Sequence, residues 1–313
     1  MAYLVTGGTG FIGSWVVKSL LERGHKVVAF DVVPGRHALD QVVGSRADEV
    51  TIVQGDFTQM HRILETVRAH KITHIAHIAA AGLNLCNANP AYAVHVNGVG
   101  FANMLEVCRA MDIERMVWAS SAGVFGGNWG SEPVPNDAPF KPRNVYAGLK
   151  ILGETLAAQY HDTYGLDVIG LRYTFVNGHG MPDHQGGQMI RELCEKTALG
   201  QPAVVPWGDD APDWLWGGDA GEATALALAA APTKSRAFNI HGNHAPMAKA
   251  VAYVKSLLPE ADITVKPGKM GFSRFDGSVT AKEIGYTPKW TMEMQLRERI
   301  NRVRQENGLP EVG

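Results

Sequence analysis

The 313-residue sequence predicts an α/β protein in which a doubly wound parallel sheet is followed by a smaller, mixed lobe. Two observations predict the sheet. Short apolar runs alternate with segments of helical period up to about residue 175, and a glycine-rich turn joins the first run to the first helix. After about residue 176 the rhythm becomes irregular, with loops such as VVPWGDDAPDWLWGG. We therefore predict one domain over residues 1–176, to which a segment near 214–242 returns, and a lobe over 177–313.

Each element of the predicted sheet has its own signal. The apolar runs rarely alternate with polar residues, which is typical of parallel strands covered on both faces. The predicted strands are YLVT (3–6), KVVAF (26–30), TIVQG (51–55), ITHIAHIA (72–79), RMVWASS (115–121), DVIGLRY (167–173) and, later, AFNIHG (237–242). The predicted helices are 12–23, 59–70, 91–111 and 148–164, which show the helical period.

Composition excludes several classes of function. Hydrophobic residues make up 45% of the chain and charged residues 19%, which is typical of a globular protein. The net charge is −2, so the chain lacks the excess of positive charge that nucleic-acid binding requires. The N-terminal MAYLVTGG lacks the basic region of a signal peptide, and no apolar run approaches the roughly 18 residues of a membrane span. Three scattered cysteines, Cys86, Cys108 and Cys194, argue against a zinc site and fit a reducing cytoplasm.

The first strand, turn and helix carry a dinucleotide-binding pattern. Gly7, Gly10 and Gly13 have the G-x-x-G-x-x-G spacing, which lets the backbone approach a pyrophosphate at the positive end of the helix. Asp31 ends the second strand, where a carboxylate accepts hydrogen bonds from the adenosine ribose and repels a 2′-phosphate. We therefore predict NAD rather than NADP, although Arg36 could neutralise this carboxylate.

The ends of the next strands predict further cofactor contacts. Asp56 follows the third strand and would lie beside the adenine. The small side chains of Ala79, Ala80 and Ala81 follow the fourth strand and would let the backbone approach the cofactor. His77, on the same buried strand, is interpreted as a hydrogen-bonded core histidine rather than a base.

The candidate catalytic residues lie at the same edge of the sheet. Ser120 and Ser121 end the fifth strand, where ligands bind in open α/β folds. Tyr146 and Lys150 are four residues apart, on one face at the start of a helix. A phenol of pKa near 10 is a poor base, but a neighbouring ammonium and the positive nicotinamide ring would lower that pKa. Ser121 would then hold a substrate hydroxyl, Tyr146 would take its proton, and a hydride would pass to NAD⁺.

Taken together, these motifs resemble the extended short-chain dehydrogenase/reductases, also called NAD-dependent epimerase/dehydratases. The matching segments are TGGTGFIG, Asp31, GDF (55–57), HIAA, NGVGFAN (97–103), SSAGVFG, YAGLK, LRYTFVNG, FNIHG and GYTPKW, in order along nearly the whole chain. The resemblance implies a Rossmann-type NAD-binding domain over 1–176, a substrate-binding lobe over 177–313, and Ser121, Tyr146 and Lys150 as the catalytic triad, with Asn97 supporting it. The implied NAD contacts are Gly7, Gly10, Phe11, Ile12, Gly13, Asp31, Asp56, Phe57, Ala79, Ala80, Ala81, Asn97, Ser120, Tyr146, Lys150 and Tyr173.

The resemblance also implies a homodimer. In this family, helices such as 91–111 and 148–164 pack against their copies as a four-helix bundle. Their apolar stripes could equally face the chain's own sheet. The stripe residues are Val94, Phe101 and Leu105 on the first helix and Leu149, Leu152 and Leu156 on the second.

The chain departs from relatives that act on nucleotide sugars. Phe175 stands where their phosphate-binding asparagine lies, and Pro212 where they carry an arginine for the diphosphate. Neither side chain can donate to a diphosphate, so a smaller substrate, or one without a diphosphate, is predicted. Asn177 could compensate if the register shifts, and Arg143, Arg191 or Lys269 could supply positive charge from elsewhere. Four tryptophans could line the pocket or pack the lobe interface, namely Trp129, Trp207, Trp214 and Trp216. The predicted substrate contacts are Ser121, Ala122, Gly123, Phe175, Asn177 and Trp214, and no metal ligand is predicted.

Three functions follow from this sequence. The first is a dehydrogenase that oxidises a secondary alcohol of a small sugar, sugar acid, polyol or ring compound and releases NADH. The second is a sugar epimerase, which performs the same first half-reaction but returns the hydride to the other face. The third, a binding module without catalysis, conflicts with the intact Ser/Tyr/Lys set.

Overall fold

A parallel sheet forms the centre of the computed structural model, which describes residues 2–127, 129–182 and 185–313. The strands are β1 (Ala2–Thr6), β2 (Lys26–Asp31), β3 (Thr51–Gln54), β4 (Ile72–His77), β5 (Arg115–Ser121), β6 (Val168–Tyr173), β7 (Phe175–Asn177), β8 (Ala203–Val205), β9 (Asp213–Trp216), β10 (Ala237–Ile240), β11 (Asn243–His244) and β12 (Ile263–Val265). Seven of them form the central sheet in the order β10-β6-β5-β4-β1-β2-β3, with every pair parallel. This confirms the predicted fold class.

Helices connect and cover the strands. The α-helices are α1 (Phe11–Glu22), α2 (His37–Val43), α3 (Met60–His70), α4 (Leu83–Ala88), α5 (Pro90–Val94), α6 (Phe101–Ala110), α7 (Val145–Tyr164), α8 (Gln185–Ile190), α9 (Gly217–Ala229), α10 (Met247–Leu257), α11 (Ser278–Ile284) and α12 (Met292–Glu306). Wider π-helical turns span His95–Gly100 and Arg191–Lys196, and tighter 3₁₀ turns span Gly44–Glu49 and Ala122–Phe125.

Both faces of the central sheet are covered by apolar side chains. On one face α1 and α9 contribute Leu20 and Leu228 to a cluster with the strands. On the other face Ile63 of α3, Leu105 of α6 and Ala157 of α7 belong to a second cluster. Burial on both sides explains why the strand sequences are apolar throughout rather than alternating.

The later part of the chain builds a smaller lobe and also returns to the sheet. Strands β11, β9 and β7 form a mixed three-stranded sheet, and β12 pairs with β8. Met189, Leu193, Trp214, Val254 and Ile300 form the fully buried core of this lobe. After β9 the chain crosses back, since α9 packs beside α1 and β10 pairs with β6 in the central sheet.

The boundaries of the predicted elements need three corrections. The predicted strand 72–79 ends at His77, because the next two N–H groups both point to the carbonyl of Thr6. The predicted helix 91–111 is interrupted by the π-helical turn His95–Gly100. The predicted helix 148–164 starts earlier, at Val145, because the Asn144 side chain accepts a hydrogen bond from Ala147 N at 2.9 Å and caps the helix there.

Two other features bear on the excluded classes. Within the described ranges, no helix combines the length and apolar composition needed to cross a membrane. In the same part of the chain, no three His, Cys, Asp or Glu side chains group closely enough to hold a metal ion. Cys86, Cys108 and Cys194 are free thiols and are buried.

Candidate active site

The turn between β1 and α1 is packed so tightly that side chains would collide with it. A Cβ atom on Gly13 would lie 1.9 Å from the Gly7 carbonyl oxygen, and one on Gly7 would lie 2.9 Å from Ala79 N. Gly7 also has a φ of +67°, which favours glycine. Gly10 caps α1 and makes no side-chain hydrogen bond to the first helical turn, which lies beside a cavity. The turn therefore offers the bare backbone and the helix end that a pyrophosphate needs.

A cavity of about 500 Å³ opens beside this turn. It has the size of a small-molecule site. It brings together many of the predicted NAD contacts, namely Gly7, Gly10, Phe11, Ile12, Gly13, Asp31, Asp56, Phe57, Ala79, Ala80 and Ala81. The residues present at this edge of the sheet thus fit a dinucleotide.

Asp31 points toward the glycine turn. Its Oδ2 accepts a 2.8 Å hydrogen bond from Thr9 Oγ1. The guanidinium of Arg36 forms ion pairs with Asp40 at 3.0 Å and Asp48 at 2.8 Å. Arg36 is therefore engaged by two other carboxylates and does not neutralise Asp31 here.

We expect NAD to bind roughly tenfold or more tightly than NADP, because a 2′-phosphate would meet the Asp31 carboxylate while Arg36 is held by Asp40 and Asp48. The measurement is the ratio of the NADP dissociation constant to the NAD dissociation constant. This ratio should be smaller for Asp31→Asn than for the wild type. Asp112→Asn, an exposed change away from this edge, is the matched control. Equal affinities in the wild type would mean that Arg36 leaves its carboxylates to bind the phosphate.

Tyr146 and Lys150 lie one turn apart near the start of α7, facing the end of β5. Lys150 is buried, and its Nζ donates a 2.5 Å hydrogen bond to the Ala119 carbonyl. The same Nζ lies 5.4 Å from the centre of the Tyr146 ring. Ser121 Oγ accepts a 3.1 Å hydrogen bond from Gly123 N. The structure thus brings Ser121, Tyr146 and Lys150 to one wall, together with Ser120 and Tyr173, in a cavity of about 560 Å³.

Burial sets the protonation of this group. It raises the pKa of Tyr146 to about 12, although the Ser121 hydroxyl acts in the opposite direction. It lowers the pKa of Lys150 to about 8, so this side chain is still largely an ammonium at neutral pH. The sequence predicts a lower tyrosine pKa with both the ammonium and the nicotinamide ring beside the phenol, whereas burial is the dominant influence among the groups of the chain itself. The positive ring of bound NAD⁺ would act in the lowering direction.

A buried ion pair that sequence reasoning missed supports this wall. Arg172 binds Glu154 through two hydrogen bonds, Nε–Oε1 at 2.9 Å and Nη2–Oε2 at 2.7 Å. Ser120 Oγ donates to Glu154 Oε1 at 2.6 Å, so the ion pair also engages this hydroxyl. Glu154 lies one turn beyond Lys150 on α7, and that spacing was the signal that could have identified it.

Two other predicted residues fix the loop after β4. Asn97, in the π-helical turn, donates to the Ala81 carbonyl at 2.9 Å and accepts from Ala81 N at 2.8 Å. His77 is buried and shares a 2.8 Å hydrogen bond with Thr6 Oγ1. Burial, aided by Lys150, lowers its pKa to about 3, so it is a neutral core histidine as predicted.

A second cavity of about 370 Å³ adjoins the one that holds Tyr146 and Lys150, and Ser121 and Phe175 line both. Ala122 and Gly123, which are predicted substrate contacts, also line it. Residues 270–272 also line it, and the loop of residues 268–272 is held by two carboxylates. Asp210 Oδ2 accepts hydrogen bonds from the backbone N–H groups of residues 270, 271 and 272 at 2.8, 2.9 and 3.4 Å, and Asp209 accepts one from residue 268.

Three predicted contacts have their polar atoms directed elsewhere. The Asn177 amide donates to Gln295 Oε1 at 2.8 Å, and Trp214 Nε1 donates to the Ala245 carbonyl at 3.1 Å, both in the buried core of the lobe. The Tyr173 hydroxyl shares a 2.5 Å hydrogen bond with Thr224. The prediction that Asn177 and Trp214 face the substrate is therefore corrected to a packing role, because tertiary contacts far along the chain satisfy both.

The sheet, the glycine turn and the Ser/Tyr/Lys wall define the class of nicotinamide-dependent short-chain oxidoreductases. The sequence model of the NAD dependent epimerase/dehydratase family matches residues 3–240, and the chain belongs to this family. It is accordingly an NAD-dependent enzyme.

Known relatives act on two kinds of substrate. The chain is 31% identical to UDP-glucuronate 4-epimerase 3 of Arabidopsis thaliana, over 94% of this chain and 74% of that protein. Among solved structures it is similar to a UDP-glucose 4-epimerase of Thermus thermophilus in complex with NAD, with 27% identity, a TM-score of 0.80, and coverage of 97% and 99%. It is also similar to a GalE-like L-threonine dehydrogenase from Cupriavidus necator, with 25% identity, a TM-score of 0.86, and coverage of 97% and 100%.

Proposed function

We propose that the protein is an NAD-dependent dehydrogenase that oxidises a secondary alcohol of a small molecule without a nucleoside diphosphate. The observation that carries this proposal is the apolar wall at Phe175. Its ring centre lies 5.6 Å from that of Phe272 and 6.5 Å from that of Trp214. Pro212, at the other position where nucleotide-sugar relatives bind the diphosphate, is buried. A diphosphate requires charge-assisted donors, and these side chains have none.

The proposed chemistry uses Ser121, Tyr146 and Lys150. When bound, NAD⁺ supplies the acceptor for the hydride that leaves the carbinol carbon. Ser121 holds the substrate hydroxyl, and the Tyr146 oxygen, as phenolate, takes its proton. Lys150, which is fixed by the Ala119 carbonyl, stabilises the phenolate form. The products are the ketone, NADH and a proton that Tyr146 later returns to solvent.

The similarity to a threonine dehydrogenase supports the small-substrate reading. As an L-threonine dehydrogenase, that protein oxidises a small molecule, so a chain of this fold need not act on a nucleotide sugar. For the present chain the substrate classes are a small sugar, sugar acid, polyol, ring alcohol or hydroxy acid. A cytoplasmic location belongs to the proposal and is supported by the three free, buried thiols.

An epimerase is the second candidate function, favoured by one specific observation. Several curated relatives of this chain are UDP-glucuronate 4-epimerases. Such an enzyme would use the same three side chains, retain the NADH and return the hydride to the other face of the ketone, so no net cofactor would be consumed.

Calorimetry with UDP and UDP-glucose on the NAD-loaded protein separates the two functions. The dehydrogenase proposal expects dissociation constants no better than about millimolar, since two charge-assisted contacts of roughly 1.5–3 kcal/mol each are missing. It also expects steady NADH formation at 340 nm with at least one member of a panel of secondary alcohols. Binding of UDP-glucose in the low micromolar range, without net NADH, would instead establish the epimerase.

The proposal includes a homodimer, but through a narrower surface than the sequence predicted. Phe101, Leu105 and Leu149 are buried within the chain itself, so that part of the predicted dimer face is wrong. Val94 and Leu152 are 47% and 41% exposed and lie beside each other across Gly98. An exposed apolar patch of this kind is typical of an interface.

We expect sedimentation to give twice the 33.8 kDa chain mass at micromolar concentration. Leu152→Glu should shift the protein to a monomer, because a buried unpaired carboxylate at the interface is unfavourable. Leu309→Glu, at another exposed leucine, is the control and should remain a dimer. A monomeric wild type would contradict the prediction.

A further inference from the structure

Arg143 presents a guanidinium to the second cavity, on the substrate side of the site. It lies in the segment just before α7 and lines the second cavity, next to Gly126 and Gly127. Its Nη2 donates a 3.0 Å hydrogen bond to the Gly127 carbonyl. Among the residues that the structure describes, no carboxylate lies within ion-pair distance of it. The Gly127 carbonyl therefore holds Nη2, and within the described ranges Nε and Nη1 have no ion-pair partner, so they can donate to a ligand.

The position of Arg143 relates it to the catalytic group. Its cavity of about 370 Å³ shares Ser121 with the cavity that holds Tyr146 and Lys150. A small ligand that reaches from one cavity into the other would therefore place one end at Ser121 and the other end toward the guanidinium.

The other charged groups of the two cavities are already engaged. Lys150 donates to the Ala119 carbonyl. Asp213 lines the second cavity, but it is buried, and its Oδ1 accepts a 3.0 Å hydrogen bond from Gly242 N. Burial also raises the pKa of Asp213 to about 7, so its negative charge is only partly present near neutral pH. Of the two cations, Lys150 is buried beside Tyr146, whereas Arg143 is exposed at the second cavity, so Arg143 is the cation open to a charged group at the far end of the substrate.

We infer that Arg143 binds a carboxylate of the substrate, and that the substrate class is small hydroxy carboxylates. This inference rests on the proposed dehydrogenase function. A planar guanidinium matches a carboxylate with two parallel hydrogen bonds, and a single cation suits a single negative charge better than a diphosphate. The apolar side chains of Phe175, Met270 and Phe272 line the same cavity and would contact the carbon skeleton.

The test compares acids with neutral molecules of similar shape on the NADH-loaded protein. The pairs are 3-hydroxybutanoate with butane-1,3-diol, gluconate with glucitol, and glucuronate with glucose. In at least one pair, calorimetry should show the acid binding about 10- to 100-fold more tightly than its neutral partner. Arg143→Gln should remove most of this difference, and Arg143→Lys should leave an intermediate one, because lysine keeps the charge but not the paired geometry.

A nearby cation supplies the control. Lys141 is exposed, lies two residues before Arg143 in the same segment, and has its Nζ 4.3 Å from the centre of the Trp129 ring. Lys141→Gln removes the same charge from the same segment, and the preference for the acid should survive in it. Equal loss in both variants would mean general electrostatic attraction and would overturn the inference.

Two further outcomes would overturn the carboxylate site at Arg143, and a third would overturn only the dehydrogenase function. Persistence of the preference in Arg143→Gln, or no binding of any acid to the wild type, would refute the carboxylate site. NADH formation from NAD⁺ is measured separately at 340 nm. If acids bind through Arg143 but none is oxidised, the dehydrogenase function fails while the carboxylate site stands.

Discussion

Replacement of Tyr146 by phenylalanine is expected to lower turnover by about 10²- to 10⁴-fold, which is the typical contribution of a positioned acid–base group. The change removes only the hydroxyl and leaves the ring in place. Affinity for NAD should therefore stay within a few-fold of the wild type. The measurements are NAD titration and NADH formation at 340 nm with the best alcohol of the panel.

Tyr164→Phe is the matched control, since Tyr164 ends the same helix but is exposed. It should retain full activity. The raised pKa of Tyr146 further predicts that oxidation by the wild type becomes faster as pH rises through the neutral range, because the phenolate is the base. Retention of more than about a tenth of the rate in Tyr146→Phe would assign the base to another group.

Removal of the buried carboxylate Glu154 should destabilise the fold by about 3–5 kcal/mol. The side chains of Arg172 and Glu154 are only 7% and 9% exposed. Glu154→Ala would leave the guanidinium buried without its partner and would also take the acceptor from Ser120. A marked fall in the thermal unfolding midpoint is the expected result.

A double variant and a control variant show whether the unpaired guanidinium of Arg172 causes the loss of stability in Glu154→Ala. Glu154→Leu combined with Arg172→Met should recover much of the lost stability, because an apolar pair can replace a buried ion pair. Glu306→Ala breaks an exposed ion pair with Arg302 and should cost at most about 1 kcal/mol. If Glu154→Ala were as mild as Glu306→Ala, the buried pair would not support the wall.

Local patterns were enough to predict the sheet and the ends of its strands. Strands buried on both faces leave continuous apolar runs in the sequence, and the residues just after them meet at one edge. That is why Ser121, at the end of β5, and Tyr146, at the start of α7, could be placed together before the structure was known. The glycine turn was predictable for a similar reason, since its packing at Gly13 admits no Cβ atom.

The errors arose where distant residues compete for a side chain. Ser120 lines the cavity as predicted for a cofactor contact, but its hydroxyl bonds Glu154 on α7, a partner that the sequence did not indicate. Asn177 was predicted to face the substrate, but its partner is Gln295, which is 118 residues away. No local spacing encodes such a pairing. The π-helical turn around Asn97 escaped prediction because its helical period continues almost unbroken through the sequence.

The loop of residues 268–272, beside the second cavity, is held by hydrogen bonds that do not involve its own side chains. Its side chains can therefore change while its attachment is kept. Asp210 accepts hydrogen bonds from the backbone N–H groups of residues 270, 271 and 272, and these bonds do not require particular side chains at those positions. Position 271 is the exception, because Gly271 has a φ of +93°, which other residues rarely adopt. Substitutions at Met270 and Phe272 can therefore reshape the entrance while the Ser/Tyr/Lys wall, which is held by other contacts, keeps its geometry. In such an arrangement, substrate preference can diverge by a few side-chain exchanges while the hydride chemistry is inherited unchanged.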